Sequence, residues 1–344
     1  MQILLNTLYV TTTGSYVHLD NDTLRIEIEH ETRLRVPLHH ISSVVCFGDV
    51  LVSPATMHRL ANEGKSLVLL DRNGRFQARL EGPVSGNILL RQAQFRCMPD
   101  VGFALETAKA LIAGKLKNSR YVLLRAARDS RDESDSQLLR EAADAIAINL
   151  RNLAGAEDLD SVRGLEGESA RRYFAAFSVL VRPDLRVDFA PDGRTRRPPR
   201  DRMNALLSFL YSLLMNDCRS AIECVGLDPQ LGCLHAVRPG RASLALDLME
   251  EFRPLLADRL ALSLVNRGQL KAKDFDIRPG GSVQLHDDAR KVLLVAYQER
   301  KQEVVEHPLL EQKMPLGLIP SLQAKLLARV VRGEIDGYLP YSVR

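Results

Sequence analysis

The first ninety residues are written in short apolar runs rather than in long amphipathic stripes. QILLNTLYV, SYVHLD, TLRIEIEH and RLRVPL are brief and rich in aliphatic and β-branched side chains, and LRIEIEH alternates apolar and polar residues as a half-buried strand does. ISSVVCFG reads as a buried strand and SLVLLD as another. Between them SPATMHRLANEG carries the marks of a helix: Ser53 as the cap, Pro54 at the first helical position and Gly64 past the end. Arg72–Gly74 turns the chain into RFQARLEG. The pattern predicts a compact β domain with one helix, ending near Gly82–Gly86.

Beyond that point the period changes. FALETAKALIAGKLKNSRYVLLRAA (103–127) keeps apolar residues three and four apart, as an amphipathic helix does. SQLLREAADAIAINLRNLAGA predicts a second helix, and SARRYFAAFSVLV a third. RPDLRVDFAPDGRTRRPPRDR reads as a Pro- and Arg-rich loop. MNALLSFLYSLLMNDCRSAIECVG is apolar enough for one long helix or a pair, LALDLMEEFRPLLADRLALSLVN predicts another, and SLQAKLLARVVRGE the last. No segment repeats at a period of 20–50 residues, which excludes a solenoid. The expected class is α+β: a small β-rich N-terminal domain (1–88), a linker (89–102) and a larger all-α domain (103–344).

At 344 residues the chain is long enough for two such cores. With no Trp and 5% aromatics, aliphatic packing must dominate both. The net charge of +4 is mild, but it is unevenly placed: residues 1–95 are neutral, and residues 91–132 hold nine basic against four acidic side chains. Five cysteines form no CxxC pair, which argues against a disulfide framework and a zinc ribbon and fits reduced, mostly buried thiols in the cytoplasm. The N-terminus lacks the basic start and cleavage site of a secretory signal, and no apolar run is long enough to span a membrane.

Candidate chemistry begins with GLEGESARRYF (164–174). Asp247 and Glu250 stand three apart, on one face of a mostly apolar helix. His235 lies just upstream in the Gly- and Pro-rich stretch GLDPQLGCLHAVRPGRASL, and Glu166 would arrive from a separate helix. One imidazole with two or three carboxylates is a donor set for Mn²⁺ or Mg²⁺. Gly164 and Gly167 would let a backbone come close, and Arg171 and Arg172 could meet phosphates. Each residue also has a plain reading: Glu166 as a complement to a helix dipole, Asp247 and Glu250 as a solvated face, His235 as a polar loop residue. The other seven histidines show no carboxylate partner at a useful spacing. Glu168 reads as a surface acid and Tyr173 as core, in step with Phe177.

Basic residues make a second feature. Lys109, Lys117, Arg120 and Arg128 fall in one sector of a helix, with Lys115 and Arg125 on other sides. Such a stripe can follow a phosphate backbone or be an ordinary wet helix face. The arginine-rich loop 193–202 reads as a mobile linker or as an arm that orders on DNA.

RGLEGESARRYF, MNALLSFLYSLL, GLDPQLGCLH and SLALDLMEEFRP occur in the order found in the CRISPR-associated endonuclease/integrase family, the metal-dependent core protein of spacer acquisition, and the whole chain resembles that family. The resemblance implies that Glu166, His235 and Glu250 hold a catalytic Mn²⁺ or Mg²⁺, with Asp247 behind them or as an alternate ligand. It implies a homodimer paired partly through its N-terminal domains, working with a small second core CRISPR adaptation protein on double-stranded DNA, both prespacer and CRISPR repeat, with no membrane. The reaction implied is insertion of short duplex DNA into a CRISPR array by 3′-OH transesterification, with hydrolysis as the nuclease activity of the same site. Lys109, Lys117, Arg120, Arg172, Arg238 and Arg241 are the candidate DNA contacts. Two other classes stay open: a non-catalytic DNA-binding scaffold of the same fold, and a stand-alone structure-specific nuclease.

Overall fold

The structure is a computed structural model and describes residues 6–72, 74, 76–82, 88–195 and 198–343. The beginning of the first predicted strand, Asn73 in the predicted turn, Gly86 at the predicted domain end, and Arg196 and Arg197 of the arginine-rich loop lie outside those residues.

Among the described residues, eight strands and one helix open the chain: β1 (Thr7–Val10), β2 (Tyr16–Asp20), β3 (Thr23–Ile28), β4 (Glu31–Pro37), β5 (Ser43–Phe47), β6 (Leu51–Val52), α1 (Pro54–Asn62), β7 (Ser66–Leu70) and β8 (Phe76–Arg79). They form two four-stranded sheets, ordered β1-β5-β7-β8 and β4-β3-β2-β6. The Ser53 hydroxyl caps α1 by accepting from the Thr56 N–H at 3.2 Å, as its sequence predicts. β5 runs parallel to both β1 and β7, so both of its faces are covered and its residues are apolar without alternation. Val44 and Cys46 face the core between the sheets, with Val17, Leu24 and Leu67. Val45 and Phe47 point the other way, into the core of the helices.

The helices are α2 (Ile88–Cys97), α3 (Val101–Asp129), α4 (Glu133–Leu153), α5 (Leu159–Ala175), α6 (Phe177–Leu180), α7 (Arg186–Phe189), α8 (Arg202–Cys224), α9 (Ser243–Met249), α10 (Arg259–Asn266), α11 (Asp287–Gln302) and α12 (Ile319–Val331). Two small hairpins are carried on them, β9 (Phe275–Ile277) with β10 (Val283–Leu285), and β11 (Val304–His307) with β12 (Gln312–Pro315). Four aspartates start the long helices, each accepting a backbone N–H in the first turn: Asp100 on α3, Asp132 on α4, Asp158 on α5 and Asp201 on α8. α3 buries Ala104, Ala108, Leu111, Ile112, Lys115, Leu116, Ser119, Val122 and Leu123, a stripe at helical spacing, against α4 and α5.

Several local expectations change. Much of the predicted linker 89–102 is helical, within α2. The third helix begins at Leu159, ten residues before the predicted SARRYF start, because Asp158 caps it there. MNALLSFLYSLLMNDCRSAIECVG forms one helix, α8. The stretch 244–266 is not one helix: α9 stops at Met249, a wide π-helical turn covers Arg253–Asp258, and α10 follows. Pro254 supplies the reason, since it has no N–H for the carbonyl of residue 250 and its ring crowds that turn. Glu250 is thereby placed at the end of α9.

Candidate metal centre

Three chain segments bring the candidate residues together. Glu166 comes from the middle of α5, Glu250 from the end of α9, and His235 from the loop between α8 and α9. Arg163, one turn before Glu166, ties two of these segments: its guanidinium donates to the Leu234 carbonyl at 2.9 and 2.8 Å.

Asp247 fixes the loop. It is fully buried, and its carboxylate accepts the backbone N–H groups of Cys233, Leu234 and His235 at 2.7, 3.0 and 2.9 Å. It also lies 2.6 Å from His235 Nδ1. Four acceptor positions are thus taken, so no lone pair of Asp247 is left for an ion. The same contact puts the proton of a neutral His235 on Nδ1 and leaves the Nε2 lone pair free. Nε2 faces Glu250 Oε1 at 3.7 Å, beyond hydrogen-bond range.

Glu250 is 3% exposed and meets two cations, Arg253 on Oε1 at 3.0 Å and Lys115 on Oε2 at 2.8 Å. Burial alone would raise its pKa, but Arg253 and Lys115 outweigh burial and hold the carboxyl well below the ordinary range. Its Oε2 is buried and makes no hydrogen bond of good geometry, even to Lys115. Glu166 pairs with the same Lys115 ammonium.

Among the described residues, no three His, Cys, Asp or Glu side chains are already drawn closely enough to share an ion. The ammonium of Lys115 spans the two carboxylates instead. The donors nevertheless fit a hard divalent cation: two carboxylates that already converge on one positive charge, one of them with a buried oxygen lacking a hydrogen bond, and an imidazole nitrogen kept free by the bond on its other nitrogen.

Other predicted residues are placed differently. A Cβ on Gly164 or Gly167 would meet nothing within 4 Å, so neither glycine serves a close backbone approach. The close approach is at Gly232, where a Cβ would collide with the Asp247 carboxylate and stand 2.8 Å from the Leu244 nitrogen. Arg171 and Arg172 both donate to Glu168, a partly exposed acid. Tyr173 is buried, with its ring edge-on to Phe177. Two histidines have carboxylate partners that their spacing hid: His286 lies 2.9 Å from Asp276, and His18 3.3 Å from Glu27 across neighbouring strands. Of the candidate DNA contacts, Lys109 is paired with Glu106 at 2.9 Å, Arg120 is half-buried, and Arg172 is held by Glu168. Lys117 and Arg238 are exposed, and Arg241 is half-buried. None of the five cysteines is in a disulfide. No helix among the described residues is long and apolar enough to cross a membrane.

Sequence reasoning missed Lys115, Arg163 and Arg253. The signal for Lys115 was present: it interrupts the apolar stripe of α3, a position where a charge needs a buried partner.

A family model described as CRISPR associated protein Cas1 matches residues 8–299. A CRISPR-associated endonuclease Cas1 of Moorella thermoacetica is 52% identical over 344 residues, covering 100% of both chains. Another, of Rhodospirillum rubrum, is 54% identical over 348 residues, covering 99% of each. Among solved structures, a casposase bound to integration product superposes with a TM-score of 0.82 at 24% identity, over 96% of this chain and 91% of that one. The last likeness is one of fold.

Proposed function

The chain belongs to the family of CRISPR-associated protein Cas1, and on that premise we propose that it is a metal-dependent DNA endonuclease and integrase that inserts short duplex DNA into a CRISPR array. The observation that carries this reading is the convergence of Glu166 and Glu250 on one positive charge, with His235 Nε2 turned toward Glu250. A buried carboxylate beside a half-buried one is costly without a cation, and Lys115 of α3 meets both Glu250 at the end of α9 and Glu166 of α5.

In this reading Glu166, His235 and Glu250 hold a Mn²⁺ or Mg²⁺ ion. When bound, the ion would polarise a phosphodiester and stabilise the charge that builds up as it is displaced. The protein's own part is positional. Asp247 orients His235, Arg253 steadies Glu250, and Arg163 anchors the histidine loop to α5. The substrate is double-stranded DNA, both the incoming fragment and the repeat. A terminal 3′-OH attacks a phosphorus of the target strand; one P–O bond forms, another breaks, and the displaced 3′ oxygen takes up a proton. The number of phosphodiesters is unchanged, so no external energy source is required. Water in place of the 3′-OH gives hydrolysis.

The family reading extends to assembly. The chain works as a homodimer with a small second core CRISPR adaptation protein. Lys117, Arg238 and Arg241, with Lys109, Arg120 and Arg172 where their present contacts release them, are the DNA contacts proposed.

Strand transfer of a 3′-OH duplex into supercoiled DNA with Mn²⁺ or Mg²⁺ tests this directly. Glu166→Ala, His235→Ala and Glu250→Ala should each reduce product by at least roughly 10²-fold while the circular dichroism of the fold persists. Salt-sensitive DNA binding without any metal-dependent product, in the unaltered protein, would instead establish the scaffold reading.

A further inference from the structure

Lys115 is a lysine where the helix pattern calls for an apolar residue. Leu111, Ile112, Leu116 and Ser119 around it on α3 are buried, and its own side chain is only 11% exposed. A buried ammonium persists only where it is paired. Its pairing is unusual because it is shared: the Nζ contacts Glu166 from α5 and Glu250 from α9. Arg253 also meets Glu250, but Lys115 is the cation that links both carboxylates. Both are the residues proposed to bind the divalent ion, so Lys115 and that ion seek the same oxygens.

A place to retreat exists beside it. A cavity of about 30 Å³ is lined by Lys115, Glu166, Ser169, Tyr173, Arg253 and Asp258 among others. It holds about one water molecule. The Tyr173 hydroxyl on its wall is buried, makes no hydrogen bond of good geometry and lies beside the Asp258 carboxylate, so the wall offers oxygen acceptors. A flexible four-carbon stem can move an ammonium toward such an acceptor, which a rigid guanidinium fork does less readily.

We propose that Lys115 is a positioning residue: an internal counter-cation that holds the Glu166 and Glu250 carboxylates in register before the divalent ion arrives, competes with the ion for them, and withdraws toward the Tyr173 cavity as the ion enters. This rests on the metal-site reading above. It makes ion entry an exchange of one cation for another rather than the filling of an open cage, and it accounts for two like charges standing ready in a largely buried site. The cost of the arrangement is weaker ion binding, because the resident charge repels the incoming one.

The test uses the full chain and Mn²⁺ alone, with binding read by electron paramagnetic resonance and unfolding by thermal melts in chelator and in Mn²⁺. Lys115→Met keeps the length of the side chain and removes its charge. It should melt at lower temperature in chelator, bind Mn²⁺ at least roughly tenfold more tightly than the unaltered protein, and gain more from Mn²⁺ in its melt. Lys115→Arg, which keeps the charge, should bind Mn²⁺ no more tightly than the unaltered protein. A general loss of structure would weaken ion binding, so tightening separates a positioning role from a merely structural one. Unchanged or weaker binding by Lys115→Met, with binding by the unaltered protein intact and lost in Glu250→Gln, overturns the counter-cation role and spares the metal site. Absence of any Mn²⁺ site that Glu250→Gln removes overturns the metal reading and the exchange together. Should Lys115→Met fail to fold, Lys115→Gln carries the same expectation and the same overturning result.

Discussion

Asp247 and Glu250 illustrate how two acids three residues apart come to have unlike roles. Asp247 is filled by three backbone N–H groups and the His235 ring, so it shapes the loop and fixes the imidazole. Glu250 instead faces the Arg253 guanidinium with Oε1 and the Lys115 ammonium with its buried Oε2. The residue types and their spacing were legible in the sequence. The division between them was not, because helical spacing puts both on one side without saying which one the preceding loop will wrap. Gly232 makes that wrapping possible, and nothing in its sequence context marks it out from the other glycines of the loop. Asp258, nearby, carries a consequence for pH. Burial pushes its carboxyl up to about 6, against the pull of the Tyr211 hydroxyl, which donates to it at 2.7 Å, of the Tyr173 hydroxyl, and of Arg194 and Arg253. The folded state therefore binds a proton that the unfolded state releases at its ordinary value near 3.9. Between those values stability falls as pH rises, and above about 6 this contribution is level. In Asp258→Asn that component should vanish. Urea-unfolding free energies measured from pH 4.5 to 7 should then decline by up to about 2 kcal/mol less in the variant than in the unaltered protein. Parallel profiles would contradict the assignment.

Among the elements, those that were legible are the ones whose stability is local. The long helices carry their apolar stripes and their caps in sequence, and α1 shows its Ser-Pro start and Gly end. The break between α9 and α10 was less legible, since the apolar periodicity runs through Pro254 and only the proline opposes it. Least legible is the segment after α12, where Tyr338–Val343 has no regular structure and is held wholly by distant partners. The Tyr338 hydroxyl donates to Glu251 at 2.5 Å and the Tyr341 N–H at 2.6 Å. The Asn118 side chain donates to the carbonyls of Glu251 and Tyr341 at 2.8 and 3.0 Å and accepts the Val343 N–H at 3.1 Å. Pro340 packs where a Cβ on Gly114 would be, 2.7 Å away. This strap therefore lies against the residues that flank Lys115 and Glu250. Asn118→Ala leaves two carbonyls and one N–H of the strap and of residue 251 unpaired, and should cost roughly 1–3 kcal/mol. Urea denaturation reads it, and a loss within 0.3 kcal/mol would mean that water replaces the amide, contrary to its burial.

For the molecule as a whole, the sheet β1-β5-β7-β8 belongs to two cores at once. Val44 and Cys46 seal the space between the two sheets, while Val45, Phe47, Val68 and Leu70 are part of the helical core. Phe47 stacks on Phe209 of α8 with ring centres 5.7 Å apart. α8 in turn carries Tyr211, whose ring lies 4.9 Å from the Arg253 guanidinium that holds Glu250. The β domain is thus a wall of the helical core rather than an appendage, and its loss would uncover large apolar side chains on both parts. Two consequences follow from one substitution. Phe47→Ala removes a fully packed ring from the junction and should cost roughly 3–5 kcal/mol. Since neither core is complete without the shared sheet, strand and helix signals should still be lost in one transition with an unchanged denaturant slope. Far-ultraviolet circular dichroism and the fluorescence of the tyrosines, which lie in both parts, follow the two signals in the same urea series. Separate midpoints for the two probes would mean that the sheet and the helices fold as independent units and that the junction merely joins them.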